Sequence, residues 1–302
     1  MRIRELLSTG RPCFSFEFFP PKTPAGLEAL RNAVRALRDL NPTFISVTYG
    51  AGGSTRDRTI ELVAEIQRHY GIEVMAHLTC VGATREEIGQ VLHRLRQGGI
   101  ENILALRGDP PQGEERFVPP EDGFTYASEL AAFVRDGFPM CVGGACYPEG
   151  HVECLAPDGS RDLARDLDHL RMKVDAGAEF LITQIFFDND AYFDFTARVR
   201  KAGIAVPVIP GIMPITNVDQ IKRFTTMCGS RLPATLMNEL DRLKDNRDAV
   251  IAQGVAYATA QCFDLLQRGA PGIHFYTLNK SAATRTILTA LRTLWPPAMR
   301  PA

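Results

Sequence analysis

The feature that most constrains the fold is an alternation of short apolar runs with amphipathic stretches, repeated about eight times along the 302 residues. Apolar runs of this length are typical of strands buried on both faces. The alternation predicts a parallel sheet with right-handed crossovers, and eight units favour closure into a single-domain α/β fold, a (β/α)8 TIM barrel over residues 1–302. We predict strands at 12–19, 44–49, 73–78, 103–106, 140–146, 180–187, 206–209 and 273–277.

A doubly wound open sheet is the alternative architecture. A nucleotide-binding glycine motif would support it, but the chain contains neither G-x-G-x-x-G nor G-x-x-x-x-G-K-[ST]. The stretch GAGGST at 50–55 comes close and fails at its last position. Two helix starts are well marked: Thr23 precedes Pro24 as an N-cap, and Thr84 with Glu87 has the spacing of a capping box.

Composition excludes several classes of partner. The chain is 45% hydrophobic and 23% charged with a net charge of −1, so no basic excess indicates nucleic acid or anionic lipid. The amino terminus lacks an apolar core of signal-peptide length, and we find no apolar run that approaches a membrane span. We therefore expect a cytoplasmic protein with a small-molecule substrate, and neither a nucleic-acid nor a membrane partner.

Cysteine and histidine usage points to neither disulfides nor zinc. The seven cysteines are odd in number, include no C-x-x-C pair, and several lie in apolar runs. Buried, reduced thiols are the expected reading. The six histidines include no H-E-x-x-H motif, so we predict no metal site.

Polar residues stand at the carboxyl ends of the predicted strands. The stretch ILALRGDPP at 103–111 shows the pattern, since an apolar run stops abruptly at Arg107, Gly108 and Asp109. In a barrel these ends form one face, which is where such folds place their chemistry. Each polar residue alone has a structural explanation, but together they predict a polar site on that face, formed by Glu17, Thr48, His77, Asp109, Tyr147, Gln184 and Tyr276.

Two acidic residues of this set suggest a division of labour. Glu17 is flanked by Phe16, Phe18 and Phe19, so it either faces the barrel mouth or is costly to bury. A desolvated carboxyl group holds its proton more readily, which suits a general acid. Asp109 follows Arg107 by two residues, and strand periodicity would bring the two to one side and favour the ionised carboxylate.

Several longer motifs resemble the methylenetetrahydrofolate reductase family. The similarity runs from about residue 11 to about residue 295, and several motifs of six or more residues in the right order are a specific signal. The motifs are FEFFPPKT (16–23), VTYGAGGSTRDRT (47–59), HLTC (77–80), LALRGDPP (104–111), YPEGH (147–151), KVDAGA (173–178), ITQIFFD (182–188), IPGIMP (209–214) and FYTLNKS (275–281).

This resemblance implies a (β/α)8 barrel that binds FAD without a covalent link. Family members reduce 5,10-methylenetetrahydrofolate to 5-methyltetrahydrofolate with NADH or NADPH, and the two substrates take turns over one flavin face. Glu17 matches the general acid of the family, and Asp109 the carboxylate near flavin and pterin. The matching substrate-side positions are Gln184, Gln220, Phe224, Tyr276 and Lys280.

The resemblance also implies a set of FAD-binding positions. Arg107, His151 and Lys173 are suited to its diphosphate and ribose end. The whole set is Thr48, Tyr49, His77, Arg107, Gly108, Asp109, Tyr126, Tyr147, His151, Asp166 and Lys173. The segments 112–123 and 154–161 match the family less well. Lys280 stands where some relatives carry Arg, which would replace a bidentate contact with a point charge.

Two other functions remain open at this stage. The chain could be a barrel lyase or aldolase with a Glu/Asp pair and no flavin, which predicts a colourless protein. It could also be a flavin-binding subunit of a larger folate-reducing complex, inactive with NAD(P)H alone. The sequence leaves open the choice between NADH and NADPH, the reaction direction and the oligomeric state, including a homo-oligomer. We expect no regulatory domain of the eukaryotic type.

Overall fold

A computed structural model describes residues 1–49, 56–110, 113 and 117–294. Its nine strands form one parallel sheet in the order β7-β6-β5-β4-β3-β2-β1-β9-β8. The strands are β1 (Cys13–Phe18), β2 (Phe44–Val47), β3 (Val74–Thr79), β4 (Asn102–Leu106), β5 (Cys141–Cys146), β6 (Phe180–Thr183), β7 (Val208–Ile209), β8 (Gly211–Ile212) and β9 (Gly272–Tyr276). The GAGGST stretch lies outside the described residues.

Residues 208–212 close the sheet into a barrel. β7 pairs with β6, and β8 pairs with β9, so the segment 208–212 joins the two ends of the sheet. Pro210 separates β7 from β8 because it has no N–H for the ladder. Its carbonyl still accepts a hydrogen bond from the backbone N–H of His274. The predicted (β/α)8 barrel is confirmed, and the doubly wound alternative is wrong.

The strand predictions are correct in position and mostly correct in length. The largest difference is the sixth strand, which ends at Thr183 although the apolar run continues to Phe187. Ile185, Phe186 and Phe187 are buried all the same. Ile185 and Phe187 pack in a cluster outside the barrel, and Phe186 packs in the main core, where its ring stacks on Tyr192. The apolar run at 180–187 therefore predicts which residues are buried, but it does not predict where the strand ends.

Eleven helices surround the barrel or follow its strands within the described residues. Both predicted caps are present: Thr23 Oγ1 accepts a hydrogen bond from Gly26 N, and Thr84 and Glu87 form a capping box. The helices are α1 (Ile3–Leu7), α2 (Pro24–Arg38), α3 (Arg56–Tyr70), α4 (Arg85–Gln97), α5 (Ala127–Gly137), α6 (Leu163–Asp175), α7 (Asn189–Lys201), α8 (Val218–Cys228), α9 (Ala234–Leu243), α10 (Arg247–Gln267) and α11 (Ala282–Leu294).

Three hydrophobic clusters hold the molecule together. The largest lies between the strands and the surrounding helices, and a second fills the lower barrel around Phe44, Met75 and Phe180. The short helix α1, which the sequence analysis did not predict, inserts Ile3 into this second cluster. A third cluster lies under α8 and α9 and includes Ile185. The upper barrel interior is thereby left for polar side chains.

The sequence analysis found no apolar run that approaches a membrane span, but one helix meets the criteria of length and composition. α10 is long and apolar enough to cross a membrane, by length and composition only. It packs against α11, α9 and α7, and Ala258, Cys262 and Leu265 on it are buried. This packing is typical of a core helix.

Two of the predictions concern the thiols of the chain and its candidate metal ligands. All seven cysteines are unpaired, and six of them are buried, which confirms the prediction of buried thiols. Among the described residues no cluster of three or more His, Cys, Asp or Glu side chains could hold a metal ion.

Candidate active site

The carboxyl ends of the strands surround a cavity of about 440 Å³. That volume is within the range of small-molecule sites. Twelve of the residues predicted from the sequence line it: Glu17, Thr48, Tyr49, His77, Arg107, Gly108, Asp109, Tyr147, His151, Gln184, Phe224 and Tyr276. The polar face predicted from strand ends is therefore one continuous site.

Glu17 lies at the floor of this first cavity between two histidines. Its Oε2 atom is 3.4 Å from Nε2 of His77 and 3.4 Å from Nε2 of His274. The side chain of Glu17 is 17% exposed, so its carboxyl group reaches the cavity. Burial lowers the pKa of His77 to about 4, so this imidazole is neutral near pH 7. The carboxyl group thus faces a neutral ring on the His77 side.

The sequence analysis missed His274 and Ser15, which lie beneath Glu17. His274 is fully buried, its ring stacks on Phe44, and its Nδ1 is 2.8 Å from Oγ of Ser15. A neutral imidazole can donate from Nε2 to a carboxylate or accept there from a carboxylic acid, while a hydroxyl takes the complementary role at Nδ1. Strand periodicity could have revealed both, since Ser15 precedes Glu17 and His274 precedes Tyr276 by two residues.

Tyr276 forms part of the wall of the first cavity. Its hydroxyl donates a 2.7 Å hydrogen bond to the carbonyl of Thr183, and burial raises the pKa of this tyrosine well above its ordinary value. Gly211 leaves room for the ring, since a Cβ at that position would lie 2.6 Å from Cε2 of Tyr276 and 2.4 Å from the Thr183 carbonyl. A glycine is therefore needed at position 211 because a side chain would collide with Tyr276 and Thr183, and not because the backbone is left-handed there.

Replacing Gly211 with Ala is expected to displace Tyr276 and destabilise the protein by about 1–3 kcal/mol, the usual cost of overpacking. Thermal unfolding would measure the loss. Gly137→Ala is the matched control, because nothing lies within 4 Å of a Cβ there. Equal melting temperatures for both variants would show that Tyr276 is not held as described.

A second cavity of about 530 Å³ adjoins the first. It contains the remaining cofactor candidates Tyr126, Asp166 and Lys173. The two cavities share Leu106, Arg107, Ala145, Tyr147 and His151. Together they form one elongated trough with Arg107 and His151 at its middle. Burial and the neighbouring Arg107 lower the pKa of His151, so Arg107 is the cation of this pair near pH 7.

Arg107 pairs with a carboxylate that the sequence analysis did not consider. Its Nη1 and Nη2 atoms lie 2.5 and 2.8 Å from the two oxygens of Glu153. Arg107 and Asp109 both line the first cavity, but strand alternation is not what places them there, because β4 ends at Leu106 and Gly108 has a φ of +87°. Strand alternation does not extend beyond the strand. Gly108 is tightly enclosed as well, since a Cβ there would lie 2.7 Å from Val81.

The second cavity contains two oppositely charged side chains, Lys173 and Asp166, that are both partly desolvated. Burial lowers the pKa of Lys173 and raises the pKa of Asp166, and each group partly opposes the effect on the other. Lys173 Nζ also donates to the carbonyl of Ala145, 2.5 Å away. Its remaining donors are available to an anionic group in the trough.

Two predicted substrate positions lie outside both cavities. Gln220 is on α8, one turn before Phe224, and Lys280 is an exposed residue just after the β9 end of the barrel. Residues that line the cavities without having been predicted include Thr79, Met213, Met227, Cys228 and Leu278 in the first, and Glu153, Arg165, His169 and Met172 in the second. Five of these nine lie on the helices α6 and α8, one ends β3, and three lie on loops. Helix periodicity marks the faces that pack on the barrel, and it does not show which side chains reach a cavity.

Fold and site together define a (β/α)8-barrel protein with an elongated polar site at the carboxyl ends of its strands, the usual active-site location in this fold. Residues 2–292 match the family model described as methylenetetrahydrofolate reductase. The chain belongs to the methylenetetrahydrofolate reductase family.

Named relatives agree with the family model. The chain is 41% identical over 297 residues to methylenetetrahydrofolate reductase (NADH) 1 of Arabidopsis thaliana, covering 96% of this chain and 50% of the relative. It is 38% identical over 277 residues to 5,10-methylenetetrahydrofolate reductase of Escherichia coli, covering 92% of this chain and 90% of that enzyme. The chain therefore spans about half the length of the plant relatives and most of the bacterial one.

Solved structures support the fold. An uncharacterized protein from Clostridium thermocellum that binds two copies of 5-methyl-5,6,7,8-tetrahydrofolic acid matches with a TM-score of 0.63 at 14% identity, covering 97% of this chain and 99% of that one. Dihydropteroate synthase from Stenotrophomonas maltophilia matches with a TM-score of 0.52 at 14% identity, covering 95% and 94%. At these identities the likeness concerns the barrel alone.

Proposed function

We propose that the protein reduces 5,10-methylenetetrahydrofolate to 5-methyltetrahydrofolate with NADH or NADPH through bound FAD. The observation that carries the proposal is the position of Glu17, a carboxyl group at the floor of a cavity that continues into a second cavity through Arg107 and His151. Family membership supplies the reaction class. The names of the plant relatives specify NADH, so NADH is the first reductant to test.

FAD fits the chemistry of the trough. It consists of two ring systems joined by a diphosphate, and the trough consists of two cavities joined at Arg107 and His151. Two buried polar atoms in the first cavity, His77 Nε2 and Thr79 Oγ1, have no hydrogen-bond partner among the described residues. The 3.4 Å approach of Glu17 Oε2 to His77 Nε2 is a close contact and not a hydrogen bond. A ring with carbonyl and amide groups would satisfy such atoms. Tyr126, Asp166 and Lys173 would hold the adenosine half.

Bound FAD would supply the hydride chemistry, and the protein would supply binding, orientation and proton transfer. Glu17 would donate a proton to the bridging nitrogen of the substrate, opening its ring to the iminium ion that accepts hydride. Gln184 and Asp109 would hold the pterin. Phe224 would cover the ring of whichever substrate is bound. Because both substrates would need this one cavity, they would bind in turn.

The absorbance spectrum of the purified protein tests the proposal. We expect a flavin spectrum that bleaches anaerobically with NADH or NADPH and returns on addition of 5,10-methylenetetrahydrofolate. A flavin that neither nicotinamide bleaches would favour the partner-dependent subunit. A colourless protein that takes up no added FAD would contradict the flavin assignment and favour the lyase or aldolase.

The cellular setting follows from the same proposal. We infer a cytoplasmic enzyme that acts on small molecules, without a nucleic-acid or membrane partner. The net charge of −1 and the packing of α10 against α11, α9 and α7 support this inference. Homo-oligomerisation stays a prediction, which sedimentation would test.

A further inference from the structure

The carboxyl end of α8 is fastened to the loops that follow two barrel strands. Ser230 donates a hydrogen bond of 2.6 Å from its hydroxyl to the carbonyl of Ile185, just after β6. Arg231 donates from its backbone N–H and from Nε to the carboxylate of Glu149, just after β5, at 3.1 and 2.8 Å. The end of α8 is therefore fixed by one backbone carbonyl and one carboxylate, both far from it in sequence.

Glu149 differs from an ordinary surface partner. Its side chain is only 11% exposed, whereas that of Arg231 is 85% exposed. An exposed ion pair contributes little because water screens it, but a largely buried carboxylate needs the donors it has. Glu149 also lies in the turn between Tyr147 and His151, the two aromatic residues shared by both cavities.

The helix that Glu149 holds carries part of the first cavity. Phe224, Met227 and Cys228 of α8 line it. The helix end also lies close against the β5 loop, since a Cβ on Gly229 would be 2.7 Å from Val152. A small movement of α8 relative to this loop would change the shape of the cavity and the position of Tyr147 and His151 together.

We propose that Glu149 is a positioning residue, which through Arg231 couples the loop carrying Tyr147 and His151 to the helix carrying Phe224. The Glu149–Arg231 ion pair, called the clamp below, fixes the position of the cofactor side of the trough relative to the substrate side. The coupling to FAD rests on the proposed function, whereas the coupling between loop and helix does not.

Arg231→Ala is the decisive variant because Arg231 lines neither cavity. We expect it to release FAD about three- to tenfold faster and to raise the KM for folate by a similar factor, with kcat within about twofold, the size of effect typical of coupled neighbours. Glu149→Ala should have a larger effect, and Glu149→Gln, which keeps an acceptor oxygen, a smaller one. FAD fluorescence and steady-state kinetics would measure these changes.

Lys222→Ala is the matched control. Lys222 lies on the same helix and pairs with Asp241 on α9, at 2.9 Å, away from the β5 loop. It removes one exposed positive charge, as Arg231→Ala does, and should leave FAD release unchanged. An equal effect of the two variants would overturn the proposal, since it would then reflect net charge alone.

Hydrogen exchange gives a readout that does not depend on FAD. The backbone N–H groups of Gly150 and Cys154 donate within the β5 loop, to the carbonyls of Tyr147 and His151. In Arg231→Ala these amides should exchange about threefold faster or more, with the melting temperature nearly unchanged. Unchanged exchange would refute the clamp. A wild-type protein without FAD would instead refute only the proposed function.

Discussion

Replacing Glu17 with Gln is expected to abolish reduction of 5,10-methylenetetrahydrofolate while leaving the reduction of bound flavin by nicotinamide nearly intact. The amide has the size of the carboxyl group but no acidic proton. Loss of a general acid costs about 10²- to 10⁴-fold in rate. Anaerobic stopped-flow measurement of the two half-reactions would separate the effects, since only the folate step needs the proton.

The surroundings of Glu17 make this variant interpretable. His77 and His274 approach one oxygen of the group at 3.4 Å, and an amide can accept or donate toward both imidazoles. We therefore expect the fold to survive. Glu73→Gln provides the matched control. Glu73 is a partly buried carboxylate just before the amino end of β3, far from the cavity, and it accepts a hydrogen bond from Asn102. Equal loss of both half-reactions in Glu17→Gln would contradict the assigned role.

Strand periodicity explains how far the sequence could predict this site. A buried parallel strand has an apolar run and an abrupt polar end, and that pattern located Glu17, His77 and Gln184 correctly in the barrel mouth. The same periodicity places Ser15 and His274 one step deeper, and the predicted closure of the barrel makes the first and last strands neighbours. The sequence does not give their register, and the tertiary structure shows that Ser15 lies opposite His274.

Loops account for the errors. Strand alternation was the basis for placing Arg107 beside Asp109, but β4 ends before both residues. They do line the same cavity, and the carboxylate that the guanidinium binds is that of Glu153, forty-six residues later. Glu149 and Arg231 are likewise eighty-two residues apart. Contacts between loops depend on where the strands leave the barrel, so no local pattern predicts them. Gln220 and Lys280 were assigned by family resemblance alone, and their roles remain predictions.

Replacing Arg107 with Ala is expected to weaken FAD binding roughly 10- to 150-fold, which corresponds to the loss of a charge-assisted hydrogen bond of about 1.5–3 kcal/mol. Arg107 lies where the two cavities join, and its planar guanidinium suits a diphosphate. Equilibrium titration of the apoprotein by flavin fluorescence would measure the change. Arg94→Ala removes a comparable ion-paired arginine from the exposed surface of α4 and serves as the control.

The ion pair between Arg107 and Glu153 affects how a loss of FAD affinity in Arg107→Ala is interpreted. In Arg107→Ala its carboxylate loses the partner that neutralises it and remains beside the expected diphosphate, so part of the weakening would be repulsion. The double variant Arg107→Ala/Glu153→Gln should therefore recover about three- to tenfold of the affinity. Glu153→Gln alone should bind FAD more tightly, because Arg107 then has no competing carboxylate. If Glu153→Gln alone binds FAD more weakly, Glu153 orients Arg107 toward the diphosphate and does not compete with it.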